Sequence, residues 1–334
     1  MSLPPVEIPL GAMRFNSDSQ KLEYWNGSVW FQIQTFSPNL DGGVRGLFAG
    51  GTAPSNTDRI DFITISTAGN ATDFGNLTVA RSWVFGAASS SVRGVWAGGG
   101  SPSISDVIDF VTISSTGDAT DFGNLIDSKQ AHAGCSNETR GLFGGGNPST
   151  TSTKTDGIEF ITIASTGNAV DFGNLNAATA SLAGTASPTR GLFTGGYTPT
   201  ALNTIQFVTI ASTGNTQDFG DLVQIRQEGA DCANSTRAIC FGGGPASAAQ
   251  GSIDFFTIAT LGNAQGFGDL ITGMQSAMGA TSSPTRGVVT TGTGSTNTIE
   301  YIAIATQGDA VDFGDLTLTR EIGSACSNGH GGLG

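Results

Sequence analysis

Residues 190–196 read RGLFTGG, and after a short polar loop residues 203–222 read NTIQFVTIASTGNTQDFGDL. The chain contains six versions of this segment. An arginine opens each version, and these arginines are Arg45, Arg93, Arg140, Arg190, Arg237 and Arg286. A period of roughly 50 residues indicates a repeat architecture in which each copy is one supersecondary unit.

Each copy divides into four strand-sized pieces, A to D. In the fourth copy they are SLAGTAS (181–187), GLFTGG (191–196), TIQFVTIAS (204–212) and TQDFGDL (216–222). Turns containing glycine and asparagine separate A from B and C from D, because these residues supply the left-handed backbone that tight turns need. In piece C of the first copy, Ile60 and Phe62 point to one side of a strand while Ile63 and Ile65 point to the other. Such a strand is buried on both faces.

The two ends of the chain complete one repeat between them. The first repeat lacks an A piece before Arg45, whereas residues 320–328 form an A piece with no complete B piece after it. Pairing the two closes a ring and removes the exposed sheet edges of a linear array. We therefore predict an all-β fold in which residues 41–334 form a six-bladed β-propeller, with residues 320–328 closing the first blade.

Residues 1–40 differ from the repeats and form a separate module. Asn26-Gly27 lies between two aromatic segments and predicts a β-hairpin. Trp25 and Trp30 are its predicted apolar anchors, and about 40 residues are too few to bury a core alone. We expect this module to attach the protein to another chain or to a larger assembly.

The composition limits the possible partners. The chain has 334 residues, 50 of them glycine, and a net charge of −13. An acidic chain is repelled by nucleic acids and anionic membranes, so neither is an expected partner. We expect no membrane insertion and no signal peptide, since the sequence shows no apolar segment of the required length. The four cysteines have no zinc-ligand spacing and are expected to be buried and reduced, although Cys232 and Cys240 could face each other across a hairpin.

The repeat resembles two groups of known proteins. GLFAGG (46–51), VWAGGG (95–100) and LFTGGY (192–197) stand where kelch repeats carry their double glycine, although phenylalanines such as Phe74 replace the usual tryptophan. The amino-acid sequence of the repeat and the leader sequence GAMRFNSD are similar to those of virion proteins of tailed phages, especially phages of cyanobacteria. The first resemblance implies a kelch-like propeller. The second implies a virion location and synthesis in the host cytoplasm.

No catalytic or metal-binding constellation is visible in the sequence. Only two histidines are present, His132 and His330, and no compact aspartate-rich calcium loop occurs. Turn residues such as Asn70 and Asp73 offer oxygen ligands for calcium, but side-chain caps of the turns explain them as well. We predict no enzyme activity, no cofactor and no metal.

The connections between pieces B and C, and between D and the next A, differ among the copies. The connections between A and B, and between C and D, are nearly identical. The B–C and D–A connections lie at one end of the blades, and the A–B and C–D connections lie at the other. Binding specificity is therefore expected at the end that carries the B–C and D–A connections. Four cations entering piece A are candidate ligand-binding residues around the channel mouth, with Tyr197 as a stacking platform; they are Arg81, Lys129, Arg226 and Arg320. The alternative for these cations is hydrogen bonding between blades.

The six repeated arginines of the A–B turns are expected to be structural. Each should bond backbone carbonyls, or an aspartate such as Asp73, at the neighbouring C–D turn. The phage resemblance implies a virion structural protein, associated with the tail fibre or baseplate and adhering to a host-surface glycan or protein in many copies. The alternatives are a non-adhesive capsid, neck or tail connector and a cellular kelch-type interaction scaffold.

Overall fold

The computed structural model describes residues 8–16, 21–32, 44–100, 103–148, 153–245, 250–291 and 296–333. Over these residues the chain is all-β, with seven separate antiparallel sheets of three or four strands and a propeller-like architecture. A short two-stranded ribbon, Thr52–Ala53 with Ser55–Asn56, and one 3-10 turn at Gly331–Leu333 complete it. The chain divides into two compact units, Met1–Gly42 and Gly43–Gly334. The described residues contain no helix long and apolar enough to cross a membrane.

The first unit contains a three-stranded antiparallel sheet. Its strands are Met13–Asn16, Lys21–Trp25 and Trp30–Gln32. The turn at Asn26 joins the last two, and the Asn26 side chain accepts hydrogen bonds from the backbone N–H groups of Ser28 and Val29. The sequence analysis predicted only the hairpin formed by the last two of these strands. The additional strand follows from the alternation of apolar and polar residues in MRFN, which is typical of an exposed strand.

The second unit contains six four-stranded sheets, each with its strands in the order A-B-C-D. We number the sheets by their B strands. The A strands of sheets one to six are Ser324–Ser327, Gly86–Ser89, Ala133–Ser136, Ala183–Ala186, Ala230–Ala233 and Ala277–Ser282. The B strands are Arg45–Ala49, Arg93–Ala97, Arg140–Gly144, Arg190–Thr194, Arg237–Phe241 and Arg286–Thr291.

The outer strands of the six sheets vary more in length. The C strands are Arg59–Thr64, Val107–Thr112, Gly157–Thr162, Leu202–Thr209, Gln250–Thr257 and Thr298–Ala303. The D strands are Thr72–Asn76, Thr120–Asn124, Val170–Asn174, Gln217–Arg226, Gln265–Met274 and Val311–Asp315. Sheets four and five therefore carry longer C–D hairpins than the others.

Sheet one is assembled from both ends of the repeat region. Ser324–Ser327 pairs antiparallel with Arg45–Ala49, with Ser324 opposite Ala49 and Ser327 opposite Gly46. The sequence analysis assigns this role to residues 320–328. The A strands contact one another in sequence, and the A strand of sheet six contacts that of sheet one, so the sheets follow each other in a closed cycle.

The hydrophobic core lies between neighbouring sheets. Six clusters of buried side chains are present, and each draws on two consecutive sheets. One cluster joins the last sheet to the first through Phe313 and Val288 on one side and Phe48 and Ile65 on the other. In every sheet the aromatic ring of strand C meets the phenylalanine of strand D edge to face, with centroids 5.8–5.9 Å apart. These aromatic rows stabilise the contacts between sheets.

A glycine follows five of the six repeated arginines, with Ala238 in its place in sheet five, and it allows the inner strands to approach closely. A Cβ atom on Gly191 would lie 2.9 Å from the Cys135 sulfur of the preceding sheet, and one on Gly287 would lie 2.8 Å from the Cys232 sulfur. Both distances are far below van der Waals contact, so a larger residue would push the sheets apart. All four cysteines are buried and free, and burial raises the pKa of Cys135 to about 12. Cys232 lies opposite Ile239 rather than Cys240.

The two ends of the sheets have different connections. The A–B and C–D turns lie at one end, called here the turn side, and the B–C and D–A connections lie at the other, called the loop side. Of the divergent loops, residues 52–58 and 197–203 are fully described. Parts of the loops at 100–106, 147–156 and 245–252 fall outside the described residues, as does the predicted linker at 37–43.

Candidate functional site

The turn side is held together by the six repeated arginines. Arg190 lies over the ring of Phe207 in its own sheet, with its guanidinium carbon 4.7 Å from the ring centroid. Its Nη1 donates a hydrogen bond of 2.6 Å to the carbonyl of Ile258 in the next sheet. The same donation recurs around the cycle, from Arg45 to Ile113, Arg93 to Ile163, Arg140 to Ile210, Arg237 to Ile304 and Arg286 to Ile65. The predicted bond to backbone carbonyls is confirmed.

The turn asparagines and aspartates also join neighbouring sheets. The side chain of Asn215 accepts a hydrogen bond of 3.0 Å from the backbone N–H of Asn174 in the preceding sheet. Equivalent bonds run from Asn76 to Asp118, Asn124 to Asn168, Asp221 to Asn263, Asp269 to Asp309 and Asp315 to Asn70. These oxygens cap backbone donors, which is the structural alternative to calcium binding. Within the described ranges no three His, Cys, Asp or Glu residues are grouped to hold a metal.

The four predicted ligand-binding cations are buried, and the prediction of an accessible positive ring is wrong. Each of the four, Arg81, Lys129, Arg226 and Arg320, is at most 3% exposed. Each forms an ion pair of 2.6–3.0 Å with a carboxylate in strand C, and the partners are Asp109, Glu159, Asp254 and Asp61 respectively. The cations also donate to backbone carbonyls, as Arg320 does to Phe48 and Gly50. A cation that is desolvated and already paired cannot attract an anionic glycan.

Sequence reasoning missed the acidic partners, although the repeat carries a signal for them. The residue between isoleucine and the strand C aromatic is acidic in five copies and is Gln206 in the fourth. The fourth copy is also one of the two without a cation, since Thr179 occupies that register. The Gln206 amide oxygen accepts hydrogen bonds from Asn176 N and Thr216 Oγ1 instead. Acid and cation therefore change together in this copy.

In sheet six the acidic residue is present without the cation. Glu300 is fully buried, but Met274 occupies the register of the cation. The Glu300 carboxylate accepts hydrogen bonds from the backbone N–H groups of Ile271 and Thr272. Burial raises the pKa of Glu300, because these two bonds compensate only part of the lost hydration. Within the part of the chain that the structure describes, Glu300 is thus a buried carboxyl group without an ion-pair partner.

Tyr197 lies on the loop side and is 36% exposed. Lys154 from the preceding B–C loop stacks on it, with its Nζ 4.7 Å from the ring centroid. The backbone of Tyr197 is fixed by bridges to Ala180 and Ala201. One face of the ring is therefore occupied by a cation, and a sugar ring would have to stack on the other face or displace Lys154.

The mouth of the central channel on the loop side is lined by a chain of four backbone hydrogen bonds that links five consecutive sheets. Trp83 N donates to Ile322 O, Ala131 N to Trp83 O, Ser181 N to Ala131 O and Glu228 N to Ser181 O. All five residues have φ between 55° and 62°, a strained conformation for side chains other than glycine. Burial raises the pKa of Glu228, and the nearby Glu321 raises it further. The ionisable groups at this mouth are thus the carboxyls of Glu228 and Glu321, where the sequence analysis expected accessible cations.

The channel itself is narrow. Two cavities of about 50 Å³ each lie along it, lined mainly by alanine, glycine and serine of the A strands. Cavities of this size hold water, whereas organic ligands occupy about 300–1,000 Å³. On the turn side, the His330 ring bonds Ser89 O at 3.1 Å, and Gly332 N donates to His330 Nδ1. Residues 329–333 thus lie across that end of the channel.

The predicted attachment residues lie in the sheet of the first unit. Trp25 and Trp30 are cross-strand partners with ring centroids 5.5 Å apart, and both are half-buried. The Arg14 guanidinium covers Trp30 at 4.2 Å. More exposed apolar side chains lie on the opposite face of the same sheet, and the sequence analysis did not single them out; they are Met13, Phe15, Tyr24 and Phe31.

The comparisons with known proteins do not assign a family. No family model matches the chain, and no curated protein matches it either. The function is therefore argued from the residues and their geometry.

Proposed function

We propose that residues 43–334 form a six-bladed kelch-like β-propeller and that the protein is a structural component of a tailed-phage virion that adheres to the host surface through its loop side. The observation that carries this proposal is the unequal variation of the two ends. Repeated hydrogen bonds between neighbouring sheets explain the constant turns on the turn side. On the loop side the repeated contacts run through backbone atoms and the buried ion pairs, as in the bond from Gly196 N to Arg226 O. The exposed side chains of the loops take no part in them, so that end is free to encode a binding surface.

The ligand chemistry follows from the charges that remain accessible. With the four cations of the D–A connections paired and buried, the loop-side cations are Lys154, stacked on Tyr197, and Arg59, which forms ion pairs with Asp61 and Asp73. The loop residues are mainly serine, threonine, proline and asparagine. We infer that the surface recognises a neutral, hydroxyl-rich glycan or a polar protein surface through hydrogen bonds and stacking on Tyr197. Many copies per particle would provide avidity.

The alternative is a connector that joins virion proteins without contacting the host. The exposed apolar face of the leader sheet favours an attachment role for residues 1–40 under both proposals. The two proposals differ in what the loop side does. A direct binding measurement separates them.

The experiment compares full-length proteins that differ at one end of the sheets only. The loop variant replaces Tyr197 with alanine and residues 198–200 (TPT) with GSG. The matched control replaces residues 187–189 (SPT) of the A–B turn in the same sheet with GSG. Labelled proteins are added to cyanobacterial cell envelopes, and bound protein is measured together with the melting temperature.

We expect the wild type and the turn variant to bind, and the loop variant to lose at least ten-fold in affinity while remaining folded. Binding by the loop variant at wild-type strength would contradict the assignment of the loop side. Absence of binding by the wild type to every envelope tested would overturn adhesion and favour the connector.

A further inference from the structure

Residues 329–333 follow the A strand of sheet one and lie across the turn-side end of the channel; this segment is called here the clasp. Its 3-10 turn, Gly331–Leu333, comes directly after the half-buried His330. The Nε2 atom of His330 lies 3.1 Å from the carbonyl oxygen of Ser89 in sheet two and 3.4 Å from Ser136 Oγ in sheet three. The clasp therefore connects the end of sheet one with two other sheets of the ring.

Two glycines allow the clasp to lie between backbone carbonyl groups. A Cβ atom on Gly331 would overlap the carbonyl oxygens of Asn234 in sheet five and Ala186 in sheet four. One on Gly332 would overlap the carbonyl oxygen of Ser136 in sheet three. Neither glycine has a positive φ, so the requirement is one of space and not of backbone strain. A methyl group at either position would displace the clasp, because a close-packed interior has no room for an overlapping atom.

The hydrogen bonds of the His330 ring define its protonation state. The carbonyl group of Ser89 can only accept, so Nε2 must carry a hydrogen and donate it to this oxygen. The backbone N–H of Gly332 donates to Nδ1 at 3.1 Å, so Nδ1 must be without a hydrogen. The ring is therefore neutral while the clasp is in place. A second proton, on Nδ1, would point at the Gly332 N–H, and two donors cannot bond each other.

The groups around His330 set its affinity for a proton. Desolvation lowers the pKa of His330 from its usual value, and the Ser89 carbonyl and Glu138 in the A–B turn of sheet three offset only part of this effect. Asp231 lines the same cavity, but its carboxyl group accepts a hydrogen bond from Thr194 of the preceding sheet. The closed clasp therefore favours the neutral ring. Burial raises the pKa of the thiols that line this cavity, so they stay uncharged; they are Cys135, Cys232 and Cys326.

We propose that His330 makes the clasp a pH-dependent closure of the channel: the neutral ring holds residues 329–333 in place, and a second proton on Nδ1 releases them. In the released segment the ring is hydrated and has its usual pKa of about 6.5. The closed clasp is therefore most stable above pH 6.5, and this stability is lost as the pH falls from 6.5 towards the lower pKa of the closed form.

Release of the clasp is a local change. The last strand ends at Ser327, so the six sheets can stay paired while residues 329–333 move away from the carbonyl groups of Ser89 and Ser136. Short segments that are held by few hydrogen bonds commonly open in this way. The turn-side end of the channel would then be uncovered. This inference does not depend on adhesion, since it concerns the turn side only.

Nuclear magnetic resonance of the full-length chain tests the proposal. His132 and His330 are the only histidines, so the ring nitrogens of each can be assigned. At pH 8 we expect the His330 ring to carry its hydrogen on Nε2. Hydrogen-exchange protection of the Gly332 amide, corrected for the intrinsic rate, should fall about ten-fold between pH 7 and pH 5, while that of Leu47 in the core stays constant. A hydrogen on Nδ1 at pH 8, or protection of Gly332 that does not change with pH, would overturn the proposal.

Two substitutions distinguish His330 from other titrating groups. In His330→Gln the protection of the Gly332 amide should no longer vary with pH, because glutamine does not titrate. In the matched control His132→Leu, which copies Leu182 at the same register of sheet four, it should vary as in the wild type. Variation that persists in His330→Gln would assign the effect to another group, such as Asp231, and would refute the role of His330.

Gly332→Ala tests the fit of the clasp directly. The added methyl group should keep the clasp open at every pH, so that the titration midpoint of His330 rises to about 6.5. The melting temperature checks that the variant is folded. A midpoint equal to that of the wild type would contradict the proposal, because the His330 ring would then titrate in the same surroundings whether or not the clasp fits.

Discussion

Arg320 and Asp61 form a buried ion pair of 3.0 Å, although 259 residues separate them in the sequence. Neither side chain is accessible to solvent. The pair connects the segment that leads into the last A strand with strand C of sheet one. It is the counterpart of the local pairs in sheets two, three and five, and it fixes the contact between the two ends of the repeat region.

Removing one partner of this pair should be costly, and removing both should not. We expect Arg320→Thr to lower the free energy of unfolding by about 3–5 kcal/mol, because it leaves a buried carboxylate without its cation. The double variant Arg320→Thr, Asp61→Gln copies the Thr179 and Gln206 combination of sheet four and should recover most of the loss. Urea unfolding at pH 7 measures both. A double variant as unstable as the single one would contradict this reading of the co-variation.

Supplying the missing cation in sheet six should stabilise the protein. Met274→Arg places a guanidinium in the register that Arg226 occupies in sheet five, next to the buried Glu300. We expect a gain of about 1–3 kcal/mol at pH 7, the range of a charge-assisted hydrogen bond. The gain should vanish in a Glu300→Gln background. Equal effects of Met274→Arg in both backgrounds would show that packing, not charge, is responsible.

Asp231 should make stability depend on pH. Burial raises its pKa from the usual 3.8 to about 6 in the folded protein. The folded state therefore binds more protons than the unfolded state between these values, and the stabilising effect of the bound proton is lost as the pH rises through 6. Alanine occupies this register in sheets one, two and six, at Ala325, Ala87 and Ala280.

The free energy of unfolding of Asp231→Ala, minus that of the wild type, should thus increase by about 2 kcal/mol between pH 4 and pH 8. Urea unfolding over this pH range measures the difference. The variant loses the hydrogen bond from Thr194 at every pH, which shifts the difference without changing its slope. A difference that does not vary with pH would mean that Asp231 titrates normally.

The arginines of the turn side should contribute to stability and not to binding. We expect Arg190→Ala to lower the free energy of unfolding by about 1–3 kcal/mol, because it removes both the bond to Ile258 and the stacking on Phe207. Arg190→Lys should lose less, since an ammonium can still donate to the carbonyl. Binding to cell envelopes should remain unchanged in both. Loss of binding at unchanged stability would place a site on the turn side.

The all-β class of the protein could be predicted from the period, the turn residues and the aromatic registers. These features repeat because each copy makes the same contacts with its neighbour, as Arg190 does with Ile258. The missing A piece before Arg45 and the additional one at 320–328 indicated how the ends meet. Because the chain contains six copies of the repeat, each of these features could be compared between copies before it was used for a prediction.

The environment of individual side chains was harder to predict. A cation register such as that of Arg81 gives no information about burial, and only the paired substitution of Thr179 and Gln206 indicates an ion pair. The exposed face of the leader sheet was missed for another reason. Tryptophan was taken as the sign of a contact surface, whereas the pairing register places Phe15 and Phe31 on the open face and Trp30 beneath Arg14.

The pairing of Ser324–Ser327 with Arg45–Ala49 has a consequence for the order of folding. During synthesis, sheets two to six receive their four strands consecutively, whereas sheet one waits for a strand that is made more than 270 residues after its neighbour. Until then, the inner edge of Arg45–Ala49 is an unpaired strand edge that can join other chains. Ribosome-bound chains should therefore depend on chaperones longest at Arg45–Ala49, the first strand of the second unit to be synthesised.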